Sequence, residues 1–339
     1  MVTIIDVAKS AEVSPAIVSR VVNGDETLRI SPETRARVLA AVSEMHYAPS
    51  HAARALRMNV PSVISLVIPD TTSTINSNLL RGVEDAARAR NLAVNIVSAE
   101  LLESGMETVL RFIKEGRTDG LLLQVPDKLP ASIEKELGRL TTPLTLLNSS
   151  TSGSISTVAL DDAAGVSVAY EHLVEMGHTK IGFVGGFPTH APAKRRQKAY
   201  ENLNKSHNLA QKPEWTTNLG LSNEAGVMAA EYFMKLKQRP TAVIVANVNA
   251  AMGFIAQCHR LGANLPQEMS IISIHDVPYA EATWPPLSAV AMPFYQLGFT
   301  GVEILFSNTG EAVHKVIKNP IPELRSRESV LDLRSIRKK

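Results

Sequence analysis

The sequence predicts an α/β chain in two parts: a small head of three short helices, then two doubly wound parallel-sheet subdomains. Three observations predict it. Hydroxyl residues able to cap helices recur three times within the first 35 positions, each ahead of a helical apolar pattern. From Val60 onward, β-branched apolar runs alternate with helical stretches, the pattern of parallel strands covered on both faces. Finally, 339 residues at 45% hydrophobic supply more than one core.

In the head, Thr3 and Asp6 fit a capping box, in which hydroxyl and carboxylate satisfy the free N–H groups of a first turn. Ser14 followed by Pro15 caps the second helix and pre-sets φ at its first position. Ser31-Pro32-Glu33 repeats the device for the third. Ile4, Val7 and Ala8, then Ile17, Val18 and Val21, then Val38, Val42 and Met45 recur at helical spacing and can close one small core. Pro15, Ala16, Ser19, Arg20 and Asn23 remain on the second helix as a compact face suited to a DNA major groove, so the head reads as a helix-turn-helix. Residues 1–59 hold seven Lys and Arg against six Asp and Glu, a net of +1. A lone DNA-binding domain is usually more basic, so affinity is expected from two copies acting together.

The run Asp6-Val7-Ala8, Val13-Ser14, Val18-Ser19-Arg20-Val21-Val22-Asn23-Gly24, Ser31-Pro32-Glu33-Thr34-Arg35, Tyr47-Ala48-Pro49 and Ala53-Arg54-Ala55-Leu56-Arg57 resembles the lactose-repressor (LacI) family of bacterial transcription regulators. The resemblance implies a recognition helix from Ser14 to Asn23, with Pro15, Ala16 and Arg20 nearest base edges. Arg20 is the one side chain there able to grip guanine bidentately, while Ser19 and Asn23 suit phosphates. Thr3, Arg29 and Tyr47 complete the contacts expected of the head. Glu12 departs from the family, many of whose members carry glycine in the turn, and a positive φ there carries strain.

Residues 49–60 are expected to form a hinge helix and linker. Ser50 can cap a short helix through Ala53, Arg54, Leu56 and Arg57, ending before Asn59 and Pro61. So short a helix is marginal alone and is expected to order when two copies pack on DNA. The resemblance implies that Leu56 wedges into the minor groove and kinks it. A plain linker with one exposed leucine is the alternative.

Strands are expected at Val63–Ile68, Val94–Val97, Leu121–Val125, Leu144–Leu147 and Ser156–Leu160, with helices near 77–90, 104–115, 131–139 and 163–176. The plan repeats with strands at Lys180–Val184, Thr241–Ala246, Ser270–Ile274 and Leu287–Val290 and helices near 194–208, 224–237 and 249–261. Two such blocks face one cleft, with ligand residues just beyond the carboxyl ends of strands. Leu79-Leu80-Arg81-Gly82, Thr118-Asp119-Gly120, Asp161-Asp162, Gly177 to Gly186, Arg196 ahead of Tyr200, Ala246-Asn247 and Pro285-Pro286-Leu287 resemble the family's effector domain, which shares the fold of periplasmic sugar-binding proteins. The implied organisation is a DNA-binding domain at 1–48, the hinge at 49–60, and an effector-binding and dimerisation domain at 61–339. Its N-subdomain spans about 61–160 plus 291–321 and its C-subdomain about 161–290 plus 322–339, with crossings near residues 160, 290 and 321.

The expected effector residues are Ser73, Ile75, Asn76, Gln124, Arg196, Leu221, Asn247, Val248, His275 and Asp276. Several depart from the family. Ser73-Thr74-Ile75-Asn76 stands where the family often has an aromatic pair, and Leu221 replaces another frequent aromatic. Ala246-Asn247-Val248 lacks a carboxylate, and Ile274-His275-Asp276 puts histidine where an acid usually grips hydroxyls. Keeping Arg196 while losing acids favours an anion such as a sugar acid or sugar phosphate, with Arg196 as fork donor and His275 adding pH dependence. A neutral sugar or nucleoside stays open, as do the absence of any small effector, a solvated helix start for Lys194–Arg196 and a satisfied wall role for His275.

Composition excludes other classes. A net charge of +2 is no polycation, and one cysteine, Cys258, permits no intramolecular disulfide. No stretch approaches the roughly 18 apolar residues of a membrane span, and no export signal opens the chain, so a cytoplasmic protein without membrane attachment is expected. Gly182-Phe183-Val184-Gly185-Gly186 lacks both dinucleotide and P-loop spacing. Asp161-Asp162 reads as a helix cap rather than a catalytic pair. Neither metal spacing nor a nucleophile elbow appears, so no catalytic residue, metal or cofactor is expected. The function expected is a homodimeric transcription factor, a repressor of carbohydrate or related catabolic genes. It would bind a double-stranded, pseudo-palindromic operator under control of a metabolite. The alternative is a solute-binding or sugar-processing protein with an unrelated helical head.

Overall fold

The computed structural model describes residues 2–22, 25, 27–45, 63–71, 73–98, 118–124, 131–149, 153, 155–307 and 311–336. Its contacts divide the chain into two units, Met1–Ser62 and Val63–Lys339. The expected hinge helix, with Ser50, Ala53, Arg54, Leu56 and Arg57, lies outside the described residues, as do Asn23, Tyr47 and the helix expected near 104–115.

The first unit holds α1 (Ile4–Ser10), α2 (Pro15–Val22) and α3 (Pro32–Glu44). The capping box forms: Thr3 accepts from the Asp6 N–H while the Asp6 carboxylate accepts from the Thr3 N–H at 2.8 Å. Ser14 accepts from the Ile17 N–H and Ser31 from the Thr34 N–H, so each helix opens on a hydroxyl. Val7, Ala8, Ala11, Val18, Val21, Val38 and Ala41 close the core, with Ile4, Ile17, Val42 and Met45 packed at its rim. Glu12 sits at φ 54°, in the left-handed region that its position in the turn demands.

The second unit contains two six-stranded sheets. The first joins β1 (Val63–Ile68), β2 (Ala93–Ser98), β3 (Gly120–Leu123), β4 (Leu144–Leu147), β5 (Ser156–Leu160) and β11 (His314–Ile317), in the order β11-β5-β4-β3-β1-β2 with every pairing parallel. Around it in sequence lie α4 (Asn76–Arg88) and α5 (Ala131–Leu137). In the second sheet, β6 (Ile181–Gly185), β7 (Thr216–Asn218), β8 (Ala242–Val245), β9 (Ser270–Ile274) and β10 (Ser288–Ala291) run parallel, and β12 (Glu323–Arg325) pairs antiparallel with β10. Its helices are α6 (Asp162–Glu175), α7 (Ala191–Ser206), α8 (Asn223–Lys235) and α9 (Val248–Arg260). Strands β3, β6, β8 and β9 are buried along their whole length, as parallel strands covered on both faces must be. Among the described residues no helix is long and apolar enough to cross a membrane.

Several elements lie outside the expected set: β7, β11, β12, the terminal α11 (Leu333–Ile336) and, above all, α10 (Phe294–Leu305). Helix α10 packs on α4 and on β3, β4 and β5, burying the face that carries Phe294, Leu297, Gly298, Gly301, Val302, Ile304 and Leu305, while Gln296, Thr300 and Glu303 lie on the opposite side. Its contact with α4 is made backbone to backbone. A Cβ at Gly82 would lie 2.0 Å from the Tyr295 carbonyl oxygen, and one at Gly298 would lie 2.2 Å from that of Leu79. The chain leaves the first sheet after β5, returns through α10 and β11, and ends on the second through β12.

Candidate functional site

On α2, Pro15 and Ala16 are exposed, whereas Ser19 and Arg20 are half-buried. Arg20 is not a loose side chain. Its Nε donates to Asp25 Oδ2 at 2.7 Å and its Nη2 to the Thr27 hydroxyl at 3.0 Å. The hydrogen bonds from Arg20 and then from Thr27 hold the Asp25 carboxyl down at about 2, so the pair is ionised throughout the neutral range. Thr3 is engaged in its cap, and Arg29 is exposed. The contribution of Asp25 and Thr27 was missed in the sequence because neither lies on the helix whose arginine they hold.

In the second unit, a cavity of about 330 Å³ lies between the two sheets' helices. It gathers Ser73, Ile75, Asn76, Gln124, Arg196, Leu221, Asn247 and His275 of the expected set, and adds Asp70, Asn148, His190, Ser222, Asn249 and Phe294. Four helices begin at its wall: α4 with Ile75 and Asn76, α7 with His190 and Ala193, α8 with Ser222 as cap, and α9 with Asn247 as cap. Helix amino termini carry partial positive charge and outward N–H groups, so their convergence favours a negative or electron-rich guest.

Two expected residues are placed elsewhere. Val248 is fully buried in the core beneath the second sheet, because the first turn of α9 directs it inward. Asp276 is gripped by Arg327, whose two Nη atoms donate to its two oxygens at 2.9 and 3.1 Å. It lines a smaller neighbouring cavity of about 270 Å³ rather than the larger one.

Arg196 and His275 line the cavity but are not in the state expected of them. Arg196, expected as an uncommitted fork, is 1% exposed and already engaged: Nε donates to Asp162 Oδ1 at 2.7 Å, Nη1 to the Ala246 carbonyl at 2.6 Å, and Nη2 to His275 Nε2 at 2.9 Å. One N–H remains on each Nη. Because a guanidinium only donates, His275 Nε2 must accept, which leaves the ring proton on Nδ1. Among the described residues that buried Nδ1 has no hydrogen-bond partner. Burial, and then the charge of Arg196, push the His275 pKa well below 6.5, so the ring is neutral and does not titrate near neutral pH. The expected pH-sensitive charge at this wall is therefore absent.

Asp161 caps α6, accepting from the Ala164 N–H at 2.9 Å. Asp162 has a different task that sequence reasoning missed. Its carboxylate is fully buried between Arg196 and Arg195, and Arg195 Nη2 also reaches the Asn148 side-chain oxygen at 2.8 Å. One carboxylate between two guanidiniums, beside a neutral histidine, leaves this cluster with net positive charge. Asp70 also lines the cavity, but from an exposed position where solvent screens it. Cys258 is buried, its thiol pushed up to about 12 by burial, and so is inert. Among the described residues no cluster of His, Cys, Asp and Glu could hold a metal ion.

Comparison with known proteins gives matches over both units. Residues 3–50 match the family described as bacterial regulatory proteins, lacI family, and residues 170–330 match the periplasmic binding protein-like domain. The repressor PurR of Photobacterium profundum is 29% identical over 335 residues, covering 98% of this chain and 100% of its own. The ribose operon repressor of Haemophilus influenzae is 29% identical over 343 residues, covering 98% and 100%. Among solved structures, a LacI family transcriptional regulator from Mycobacterium smegmatis is 30% identical, covers 79% of this chain and 99% of its own, and superposes with a TM-score of 0.73. The lac repressor dimer bound to operator and the anti-inducer ONPF shares the fold, with a TM-score of 0.82 at 23% identity, covering 97% and 99%.

Proposed function

We propose, since the chain belongs to the LacI family of bacterial regulatory proteins, that this DNA-binding transcriptional repressor reads a pseudo-palindromic operator as a homodimer and is controlled by an anionic metabolite. Relatives named as transcriptional repressors match it along almost its whole length, so a regulator is favoured over a solute-binding or sugar-processing protein. The proposed division is a DNA-binding domain at 1–48, a hinge at 49–60 and an effector domain at 61–339, acting in the cytoplasm where its DNA lies. Residues Pro15, Ala16, Ser19 and Arg20 would face the major groove.

Pairing of two chains is supported by the lac repressor, described as a dimer on operator, and by exposed apolar side chains. These are Ile96 on the edge strand β2, Met228 and Tyr232 on α8, and Trp284, which is 76% exposed. A dimer matches the symmetry of two half-sites and supplies the affinity that residues 1–59, of net charge +1, lack alone.

The single observation that carries the effector class is the fully buried Asp162 shared by Arg195 and Arg196 beside a wall of four helix amino termini. That electrostatic excess suits a carboxylate or phosphate, with the remaining Arg196 N–H groups and the His275 Nδ1–H as donors. Isothermal calorimetry with sugars, sugar acids, sugar phosphates and nucleosides tests it. Binding of anionic members, with gel-shift affinity for the selected operator altered by the same compounds, is expected. Binding of neutral members alone overturns the anionic assignment.

A further inference from the structure

The recognition helix alone does not account for how Arg20 is held. We propose that Asp25, in the loop after α2, is a positioning residue for sequence reading: it fixes the Arg20 guanidinium so that its Nη1–Nη2 edge is presented to guanine. The proposal rests on α2 being the DNA-reading helix.

Asp25 is itself anchored on three sides. Its N–H donates to the Arg20 carbonyl at 3.0 Å, and its own carbonyl accepts from Arg35 Nη2 of α3 at 3.4 Å. Oδ1 accepts from the Thr27 N–H at 2.9 Å and from the Thr27 hydroxyl at 2.7 Å. Oδ2 is then left for Arg20 Nε at 2.7 Å. A flexible arginine held by an anchored carboxylate loses its rotamer freedom before DNA arrives, so less entropy is lost on docking.

The division of donors matters. Nε and one Nη2 hydrogen face the loop, and no described residue accepts from Nη1. The remaining edge offers Nη1 and Nη2 side by side, the pair that meets guanine O6 and N7. The carboxylate also offsets the arginine's charge. That weakens its attraction to any phosphate and raises the share of its energy that depends on sequence.

Asp25→Asn separates the two roles of the residue. An asparagine oxygen can still accept from Thr27 and keep the loop turn, but its amide N–H faces Arg20 Nε, donor against donor. The test selects duplexes from a random library with full-length wild-type protein, then measures gel-shift affinities for the consensus and for each single-base change. Wild type is expected to yield a palindrome with a guanine whose preference Arg20→Lys abolishes. At that base pair Asp25→Asn should cut discrimination by about fivefold or more, the lower bound for a bidentate contact, while affinity for unrelated duplex holds or rises. Thr27→Val, which removes the Nη2 contact, should cause a smaller loss at the same position and covers the case of a poorly folded Asp25→Asn head.

Equal weakening at every position, or unchanged guanine preference in both variants, overturns the proposal while leaving DNA reading by α2 intact. A guanine preference that survives Arg20→Lys overturns it as well. Failure of the wild type to select any consensus overturns the underlying reading and the proposal together.

Discussion

Removing the Asp162 carboxylate should be among the most damaging single changes to the effector domain. The side chain of Arg196 is 2% exposed and that of Asp162 is 0% exposed, and they meet at 2.7 Å. Asp162→Ala leaves a buried guanidinium with the Ala246 carbonyl and the neutral His275 ring, neither of which carries counter-charge. Breaking a buried ion pair from one side costs about 3–5 kcal/mol. The adjoining cavity can admit water to the orphaned group, which argues for the lower end, about 3 kcal/mol. For a unit of this size each kcal/mol lowers Tm by about 2–4 °C, so a fall of about 6–12 °C is expected. Arg195 provides the control. Its side chain is 34% exposed and can turn to water, so Arg195→Ala should move Tm by no more than about 2 °C. Circular-dichroism melts of the full chain measure both. An Asp162→Ala protein melting within about 2 °C of wild type would show that Arg196 does not depend on a buried counter-charge, and the account of this cluster would fail.

Three further outcomes follow from the same geometry. His275→Asp places a second carboxylate against Arg196; at about 5 Å and an effective dielectric near 20, its repulsion of an anionic effector is about 3 kcal/mol, so calorimetry should read a loss of roughly one hundredfold, and unchanged anion affinity refutes it. Burial holds His172, His178 and His275 below their ordinary pKa, so the unfolded chain takes up protons first; their contribution is present above about pH 6.5 and lost as pH falls through it, and a Tm that is level or higher at pH 5.5 than at pH 7.5 contradicts this. Gly82→Ala forces a Cβ against the Tyr295 carbonyl and must part α4 from α10, costing about 1–3 kcal/mol; a urea midpoint equal to wild type refutes the close approach.

How much was legible depended on whether a residue's neighbours were local. The capping box at Thr3 and Asp6 spans one helical turn, and the two residues alone specify it. Strands β1, β4, β5 and β9 coincide with the expected runs because short, mainly apolar runs broken only by Ser or Thr fit a doubly covered parallel sheet. Helix α10 was hidden because two glycines, Gly298 and Gly301, and three aromatics, Phe294, Tyr295 and Phe299, weaken its helical signal and leave only a narrow polar stripe at Gln296, Thr300 and Glu303. Strands β11 and β12 were hidden for another reason, since edge strands with mostly exposed residues need no hydrophobic run. At the cavity, Arg196 and His275 could be named from sequence. Their mutual hydrogen bond spans 79 positions, and the tautomer it imposes could be learned only from the fold.

The same cluster is placed so that a small guest in this cavity would bear on the arrangement of the two sheets. Asp162 opens α6 directly after the chain leaves β5, and Phe294 opens α10 directly after it leaves β10. The His275 ring stacks edge-on against Phe294 at 4.9 Å, and its Nε2 is tied to Arg196, which is tied to Asp162. One chain of two hydrogen bonds and a ring contact thus links two of the three places where the polypeptide passes between sheets. His275 holds φ 74° there, a left-handed conformation costing on the order of 1–3 kcal/mol, fixed by its N–H to the Val290 carbonyl and its own carbonyl to the Ser273 hydroxyl. A ligand acceptor that satisfied the buried Nδ1–H, or drew on the spare Arg196 N–H groups, would therefore act on both crossings at once. A guest bound at the exposed mouth near Asp70 would touch neither, however tightly it was held.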